Sequence, residues 1–398
     1  MTNVPDPRVS PLMLGRAQRL LWSVTRSDRR GLGLAVVRAG LTILSGIYAS
    51  ALYSYRALLR MGVLPIARAG VPVIGIGNLS LGGTGKTTAT AAICRALLGA
   101  GARPAVLSRG HGRRSGGGGM TVVGRGAGPV ATWEQAGDEP YLLASKLPGA
   151  LVLVGKDRRR TAAQAVGLGA DVLVLDDGFQ YWRLAKDFEI ALVDCLDPFG
   201  GGRLFPHGTL REPMGHLRRA HAVCLTHADL VSEAQRSAIQ RELRRLHPDA
   251  ALRLTRHRPV ALRAWPSGEE IGIAALRGRR VCALSGIGNP ASFERLLAAM
   301  GAAVITARFP DHHRFRAEDV KEVVTAMSGK AEILVTTEKD QVRLPAAAAG
   351  APIWVLSVEM CRLDGSPLLD SCGAREDRNW AAWVAGACGW DVQDYADT

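Results

Sequence analysis

An α/β protein is what this sequence predicts: a parallel sheet flanked by helices, followed by a second, smaller α/β domain and preceded by an apolar helix that contacts a membrane. Three observations carry that expectation. Between residues 71 and 358, short continuous apolar runs alternate with helix-like stretches. That is the pattern of strands buried on both faces and joined through helices. A glycine-rich turn, Leu81-Gly82-Gly83-Thr84-Gly85-Lys86-Thr87, lies between the first such run and a helical run. Residues 39–55 carry no charge and are bounded by Arg38 and Arg56.

The elements come in this order. Residues 1–70 hold ten arginines against two acids, Asp6 and Asp28. Within them the uncharged run contains Leu41, Ile43, Leu44, Ile47, Leu52 and three tyrosines, but also Ser45, Ser50 and Ser54. A spanning helix needs about 17–25 apolar residues. This run stands at the lower limit and predicts an interfacial or partly inserted helix, its arginines toward anionic headgroups. Strands are expected at residues 71–77, 104–108, 151–154, 172–175, 189–193 and 222–226, and an amphipathic helix at 230–246. A second series is expected at 281–285, 303–307, 333–336 and 353–358. Pro259, Pro266 and Gly268 interrupt the rhythm and place a boundary near 255–270. The expected organisation is therefore a basic segment 1–70, a first α/β domain 71–258 and a second 259–398. Residues 110–119, rich in glycine and arginine, read as a mobile loop. The last forty residues, with Trp380, Trp383 and Trp390, carry no assignable feature.

Composition narrows the function. At 398 residues with 47% hydrophobic content, the chain fits two globular domains rather than a disordered protein or a multi-span transporter. Seven scattered cysteines form no C-x-x-C pair, which argues against a disulfide framework or a structural zinc and for a reducing cytosol. The first thirty residues lack the apolar run of a secretory signal. A net charge of +14 suits an anionic partner. Without aromatic–basic interleaving or a recognisable motif, nucleic acid is not the expected one.

The chemistry begins at the glycine-rich turn. Its strand–loop–helix context is that of a P-loop, in which backbone N–H groups of Gly82, Gly83, Thr84 and Gly85 converge on phosphate oxygens. Lys86 reaches the β- and γ-phosphates of ATP, the Thr87 hydroxyl ligates Mg²⁺, and the helix N-terminus adds a favourable field. The general pattern has glycine six residues before the lysine, where this chain has Ser80. Asp176-Asp177-Gly178 ends the run 172–175. A carboxylate there is placed to hold Mg²⁺ directly or through water. Other groups are ambiguous on their own. Asp138 reads as a helix N-cap before Pro140. Asp311-His312-His313 lacks further ligands at metal-site spacing. Arg211-Glu212 reads as a surface ion pair.

Residues 77–87, Gly-Asn-Leu-Ser-Leu-Gly-Gly-Thr-Gly-Lys-Thr, closely resemble the variant loop of the lipid A 4′-kinases (tetraacyldisaccharide 4′-kinases), in which Ser or Thr replaces the first glycine. Thr88 departs from the proline usual there. The resemblance extends to Asp176-Asp177-Gly178-Phe179-Gln180, to Gly137-Asp138-Glu139-Pro140, to Phe309-Pro310-Asp311-His312 and to the stretch 204–212 ending in Leu210-Arg211-Glu212. Ser108-Arg109-Gly110 fits as well, with His111 in place of a tyrosine. Residues 286–293 and Thr336-Thr337-Glu338-Lys339-Asp340 also fit, so the likeness runs from about residue 35 to 360. The resemblance implies that Asp138 activates the acceptor hydroxyl and that His312 pairs with it. It implies that Glu212 is a second Mg²⁺-linked carboxylate beside Asp176 and Asp177, and that Arg211 contacts phosphate. It also implies an arginine near the reacting phosphates at Arg158 or Arg159, of which Arg158 is taken.

The function implied is transfer of phosphate from Mg·ATP to the 4′-hydroxyl of an acylated glucosamine disaccharide 1-phosphate. The site would lie at the cytoplasmic face of the bacterial inner membrane, against an anionic surface and without an obligate protein partner. The alternative is a membrane-attached nucleotide switch. A GTPase of that kind needs N-K-x-D, and the nearest segment is Thr337-Glu338-Lys339-Asp340.

Overall fold

The computed structural model describes residues 32–113, 119–348, 350, 352–369 and 384. Residues 1–31, the middle of the glycine/arginine-rich loop at 114–118, and Trp380, Trp383 and Trp390 lie outside the described residues. The described residues divide into two compact units: the larger takes 43–258 and those from 358 onward, the smaller takes 259–357 with those up to 42.

In the larger unit the strands are β1 (Val73–Asn78), β2 (Pro104–Ser108), β3 (Thr121–Arg125), β4 (Leu151–Val154), β5 (Val172–Leu175), β6 (Phe188–Asp194), β7 (Ala222–Thr226) and the first part of β8 (Ala251–Trp265). Their order is β8-β7-β6-β1-β5-β2-β4-β3. β1 is central. It pairs in parallel with β5 on one side, Val73 beside Leu173, and with β6 on the other, Ile74 beside Phe188. Every residue of β1, β2, β5, β6 and β7 is buried, which is why these strands read as unbroken apolar runs. Helices α1 (Leu32–Arg60), α2 (Lys86–Gly99), α3 (Trp133–Ala136), α4 (Asp138–Lys146), α5 (Arg158–Gly167) and α6 (Glu233–Leu246) accompany them. Ala89, Ile93 and Leu97 of α2 share a core with Ile74 and Ile76 of β1, Val106 of β2 and Leu143 of α4. Ala162 and Ala165 of α5 pack in a second cluster with Leu107, Leu153 and Leu173. Because β1, β2, β4 and β5 are parallel, their C-terminal ends meet on one edge, and the loops that leave it carry the site.

Two strands that pair in the larger unit were not anticipated. β3 is a half-buried edge strand, antiparallel to β4 with a register shift between Val122 and Gly124. β8 is fifteen residues long and mostly only partly buried. Arg253, Arg256, His257, Arg258 and Arg263 break up its apolar pattern, and Pro259 falls at the division between the units. A strand that is not buried on both faces gives no continuous apolar signal.

In the smaller unit β10 (Arg280–Ser285), β11 (Ala303–Arg308), β12 (Ile333–Thr337) and β13 (Ile353–Arg362) run parallel in the order β11-β10-β12-β13, while β9 (Glu270–Ile271) pairs antiparallel with the end of β8. Helices α7 (Pro290–Ala299), α8 (Ala317–Met327) and α9 (Glu338–Gln341) connect them. Leu284, Phe315, Val320, Leu334 and Ile353 form the core. After Ser357 the chain returns to the larger unit, where the Leu363 N–H donates to the Leu254 carbonyl at 2.9 Å.

Helix α1 has two unlike faces. Over Gly33–Arg60 it is long and apolar enough to cross a membrane, and none of its most apolar window is buried. Val36, Ile43, Leu44 and Ile47 lie open on one side, Ile43 at 66% exposure. The other side is hydrogen-bonded to the protein. Ser45 Oγ donates to the Leu204 carbonyl at 2.9 Å and accepts from the His207 N–H at 3.1 Å, and the Tyr48 hydroxyl donates to the Arg211 carbonyl at 2.7 Å. Tyr55 stacks on Trp182.

Candidate active site

The phosphate loop leaves the buried end of β1. Asn78 closes the strand and organises the loop beyond it: its Nδ2 donates to the Ser80 carbonyl at 2.6 Å, and its Oδ1 accepts from Lys86 Nζ at 3.1 Å. Ser80 is buried and forms an isolated bridge to Leu210, the Leu81 N–H donates to the Thr209 carbonyl at 2.7 Å, and the Arg211 N–H donates to the Leu79 carbonyl at 2.6 Å. The loop is thus clamped to segment 209–211. Gly85 stands at φ 83 as the N-cap of α2 and offers no side-chain cap. The first N–H groups of the helix therefore have no side-chain acceptor from that residue, an arrangement suited to an anion. A Cβ at Gly85 would also come within 3.0 Å of His257 Nε2 and Met360 Cε. Thr84 and Thr87 are buried, and Thr84 Oγ1 has no hydrogen-bond partner among the described residues.

Asp176 and Asp177 come directly after β5. A Cβ on Gly77 would lie 2.6 Å from Phe179 Cβ, so glycine there lets the Asp-Asp-Gly-Phe turn press against β1. The two carboxylates have opposite environments. Asp176 is buried, with Oδ1 accepting from Thr90 Oγ1 at 3.1 Å and Oδ2 near Ser108 Oγ at 3.5 Å. Burial, then the charges of Glu139 and Asp177, push its pKa up to about 7. Asp177 adopts φ 52, a left-handed conformation uncommon for a residue with a side chain. Burial would raise its pKa, but Lys86, Arg211 and Arg158 outweigh that and hold it below the usual carboxylate range. Arg211 Nη1 donates to both its oxygens at 2.9 and 3.0 Å, and Lys86 Nζ lies 3.8 Å away.

Two further predicted residues, Arg158 and Asp138, lie in the same unit and are both buried. Arg158 opens α5 and is buried, 4.9 Å from the centre of the Tyr181 ring. Burial lowers its pKa, against the pull of Asp177 and Asp176, so its charge faces the acid pair. Its Nε is buried without a hydrogen-bond partner among the described residues. Arg159 turns away to Asp157, and Arg160 is exposed. Asp138 is buried at the start of α4, its Oδ1 accepting from the Glu139 N–H at 3.0 Å. Gly137 before it stands at φ 89, and a Cβ there would lie 2.6 Å from the His111 carbonyl oxygen.

Glu212, in the larger unit, and His312, in the smaller one, have surroundings of their own. Glu212 is fully buried and already engaged: Oε2 accepts from Arg219 at 2.6 Å and meets His216 Nδ1 at 2.7 Å, and Oε1 accepts from Gln180 at 3.1 Å. Gln180 Oε1 in turn accepts from Arg211 Nη1 at 3.2 Å, which links Glu212 to Asp177 through two side chains. His312 lies in the smaller unit at φ 58, its N–H donating to the Gly286 carbonyl and to Asp311 Oδ1, each at 3.0 Å.

Sequence reasoning assigned no role to Asn78, Thr90, Ser108 or Gln180, which hold Lys86, Asp176 and Arg211, nor to Arg219. Asn78, Ser108 and Gln180 sit inside motifs already singled out. The spacing Glu212, His216, Arg219 is a signal that could have flagged the Glu212 cluster.

The chemical elements present are a phosphate loop on a parallel sheet, a lysine and two arginines around an acid pair, and a third acid at a helix start. Together they define the class of P-loop phosphotransferases. Comparisons with known proteins agree. The model of the tetraacyldisaccharide-1-P 4′-kinase family matches residues 37–370. A tetraacyldisaccharide 4′-kinase of Anaeromyxobacter dehalogenans is 48% identical over 325 residues, 79% of this chain and 84% of that protein. One of Syntrophus aciditrophicus is 40% identical over 304 residues, 72% and 79% of the two chains. The solved structure of LpxK from Aquifex aeolicus in complex with ATP superposes with a TM-score of 0.65 at 28% identity, covering 88% of this chain and 99% of the other. The chain belongs to the tetraacyldisaccharide 4′-kinase family.

Proposed function

We propose that this protein is an ATP-dependent kinase that phosphorylates the 4′-hydroxyl of a lipid A disaccharide 1-phosphate precursor. The observation that carries the reading is the joining of the phosphate loop to segment 209–211, which lets Lys86 and Arg211 converge on Asp177. The loop N–H groups and Lys86 bind the nucleotide phosphates, and Arg158 and Arg211 meet charge spreading over the transferred group. The Thr87 hydroxyl and the Asp177 carboxylate, hard oxygen donors beside that loop, fit Mg²⁺, with Asp176 behind them. The metal, when bound, neutralises charge on the phosphates. Thr84 Oγ1 and Arg158 Nε, buried without partners among the described residues, are further groups suited to hydrogen-bond nucleotide oxygens.

Asp138 is the proposed acceptor of the sugar hydroxyl proton, and the motif assigns His312 as the residue that orients it. Glu212 acts through Gln180 and Arg211, holding the arginine that holds Asp177. Helix α1 would rest on the cytoplasmic face of the inner membrane, its open side (Val36, Ile43, Leu44, Ile47) in the lipid boundary. The nucleotide-switch reading gains nothing. Its nearest guanine motif ends in Asp340, which is buried against Arg343 and accepts from the Gly286 N–H at 3.1 Å. The deciding experiment incubates purified protein with Mg·ATP and the disaccharide 1-phosphate and identifies the product by mass spectrometry. A 4′-phosphorylated lipid is expected; a folded protein that transfers nothing to the disaccharide refutes the reading.

A further inference from the structure

We infer that the larger unit carries a second phosphate-binding site, separate from the phosphate loop, for the phosphate of a lipid. It is a cavity of ≈ 590 Å³ lined by Arg56 and Arg60 of α1 and by His216, Arg218 and Arg219 of the short helical segment Met214–Arg219. Five basic side chains converge there, and the lining contains no acid.

The charge is balanced at the floor and unbalanced at the mouth. On the floor, Arg219 and His216 bind Glu212, and Arg219 Nε lies 3.7 Å from Glu189. Arg56 is fixed by contact with His216 Nε2 and by the face of Trp182, 5.2 Å from its guanidinium. Burial, then the charges of Arg219 and Arg60, lower the pKa of Arg56 against the opposing pull of Glu212. Toward the opening, Arg218 uses its Nε on the Leu246 carbonyl at 3.0 Å, and neither Arg60 nor Arg218 has a carboxylate partner among the described residues. Guanidinium groups in this arrangement match the oxygens of a phosphate.

The rim says what bears the phosphate. Tyr53 and Met61 flank the cavity and are 53% and 66% exposed, and Leu58 and Val63 lie open nearby. A polar pocket bordered by apolar surface suits an amphiphile with its head in the cavity and its chains along α1. Two lipids offer that chemistry: the acceptor, through the phosphate it already carries, and an anionic phospholipid of the bilayer. The first source rests on the kinase reading above; the second does not.

The test uses Arg60→Gln and Arg218→Gln, singly and together, neither being part of the catalytic group. One arm measures KM for the disaccharide 1-phosphate and for the same disaccharide with a free 1-hydroxyl. The other measures sedimentation with phosphatidylcholine vesicles, with and without phosphatidylglycerol. The double variant should lose about tenfold in one phosphate-dependent readout, since losing charge-assisted hydrogen bonds has at least that effect. Its kcat on the 1-hydroxyl acceptor and its binding to neutral vesicles should stay unchanged. A loss confined to the first arm assigns the acceptor's own phosphate, and a loss confined to the second assigns a bilayer lipid. The site is overturned if neither readout moves, or if the phosphate-free controls fall equally. Should the wild-type protein phosphorylate neither acceptor, the kinase reading fails, and the vesicle arm still decides the pocket.

Discussion

Two neighbouring carboxylates show how much a single residue's surroundings decide. Asp176 and Asp177 are identical in chemistry, yet one is driven toward neutrality by burial and the other kept ionised by Lys86, Arg211 and Arg158. For Asp176 the folded pKa, about 7, is above the unfolded value of about 3.9. Its contribution is therefore fully present below about pH 4 and is lost as pH rises toward 7, because the native state binds the extra proton over that window. Asp176→Asn should therefore raise Tm of the nucleotide- and metal-free protein at pH 8 by on the order of a few degrees. The gain should vanish at pH 4; an equal gain at both pH values contradicts the assignment. Gly85→Ala joins a φ of 83 to a Cβ within 3.0 Å of His257 and Met360. It should weaken ATP binding more than it lowers Tm, as isothermal titration beside a thermal melt would reveal. The glycine pattern of the loop was legible in the sequence. The contact of Gln180 with Glu212 was not, because the two lie far apart in the chain and meet only through the fold.

At the scale of elements, α1 is the informative one. Its uncharged run marked an apolar helix, but hydropathy treats all sides of a helix alike. Only the structure separates the side that holds segment 204–219 from the side left open. The two sides should respond differently to substitution. Ile43→Asp with Ile47→Asp should abolish sedimentation with vesicles and leave Tm unchanged, since these side chains touch little of the protein. Tyr48→Phe removes the hydrogen bond to the Arg211 carbonyl. It should lower kcat about three- to tenfold while vesicle binding is kept, the range expected for one hydrogen bond. If kcat is unaffected, α1 does not help position Arg211. Strands divide in the same way. β5, four buried aliphatic residues, was unmistakable, whereas β8 was hidden by its own arginines.

For the molecule as a whole, the phosphate loop makes folding and ligand binding linked equilibria. Mg·ATP at a hundred times its Kd should add about 2.7 kcal/mol to stability, read as a rise in Tm of the larger unit. Lys86→Ala should lose most of that rise, because Lys86 stands between Asn78 and Asp177 where the phosphates enter. A variant with the full rise would show that the lysine does not contact the nucleotide. The excess of positive charge acts at the same scale. Its effect on anionic vesicles should weaken steeply with added salt as the Debye length shrinks from about 10 Å at 0.1 M.

By itself the sequence determined the α/β class, the buried strands, the phosphate loop and the family, down to Ser80 in place of glycine. These are local or periodic properties, written in spacing and in runs of residue type. Tertiary structure alone decided which charges meet. It set Arg158 inside and Arg159 outside, gave Asp176 and Asp177 opposite environments, locked Glu212 between His216 and Arg219, and gathered five basic side chains into one cavity. Electrostatic environment depends on distance and burial in space, and neither is written in the order of residues along the chain.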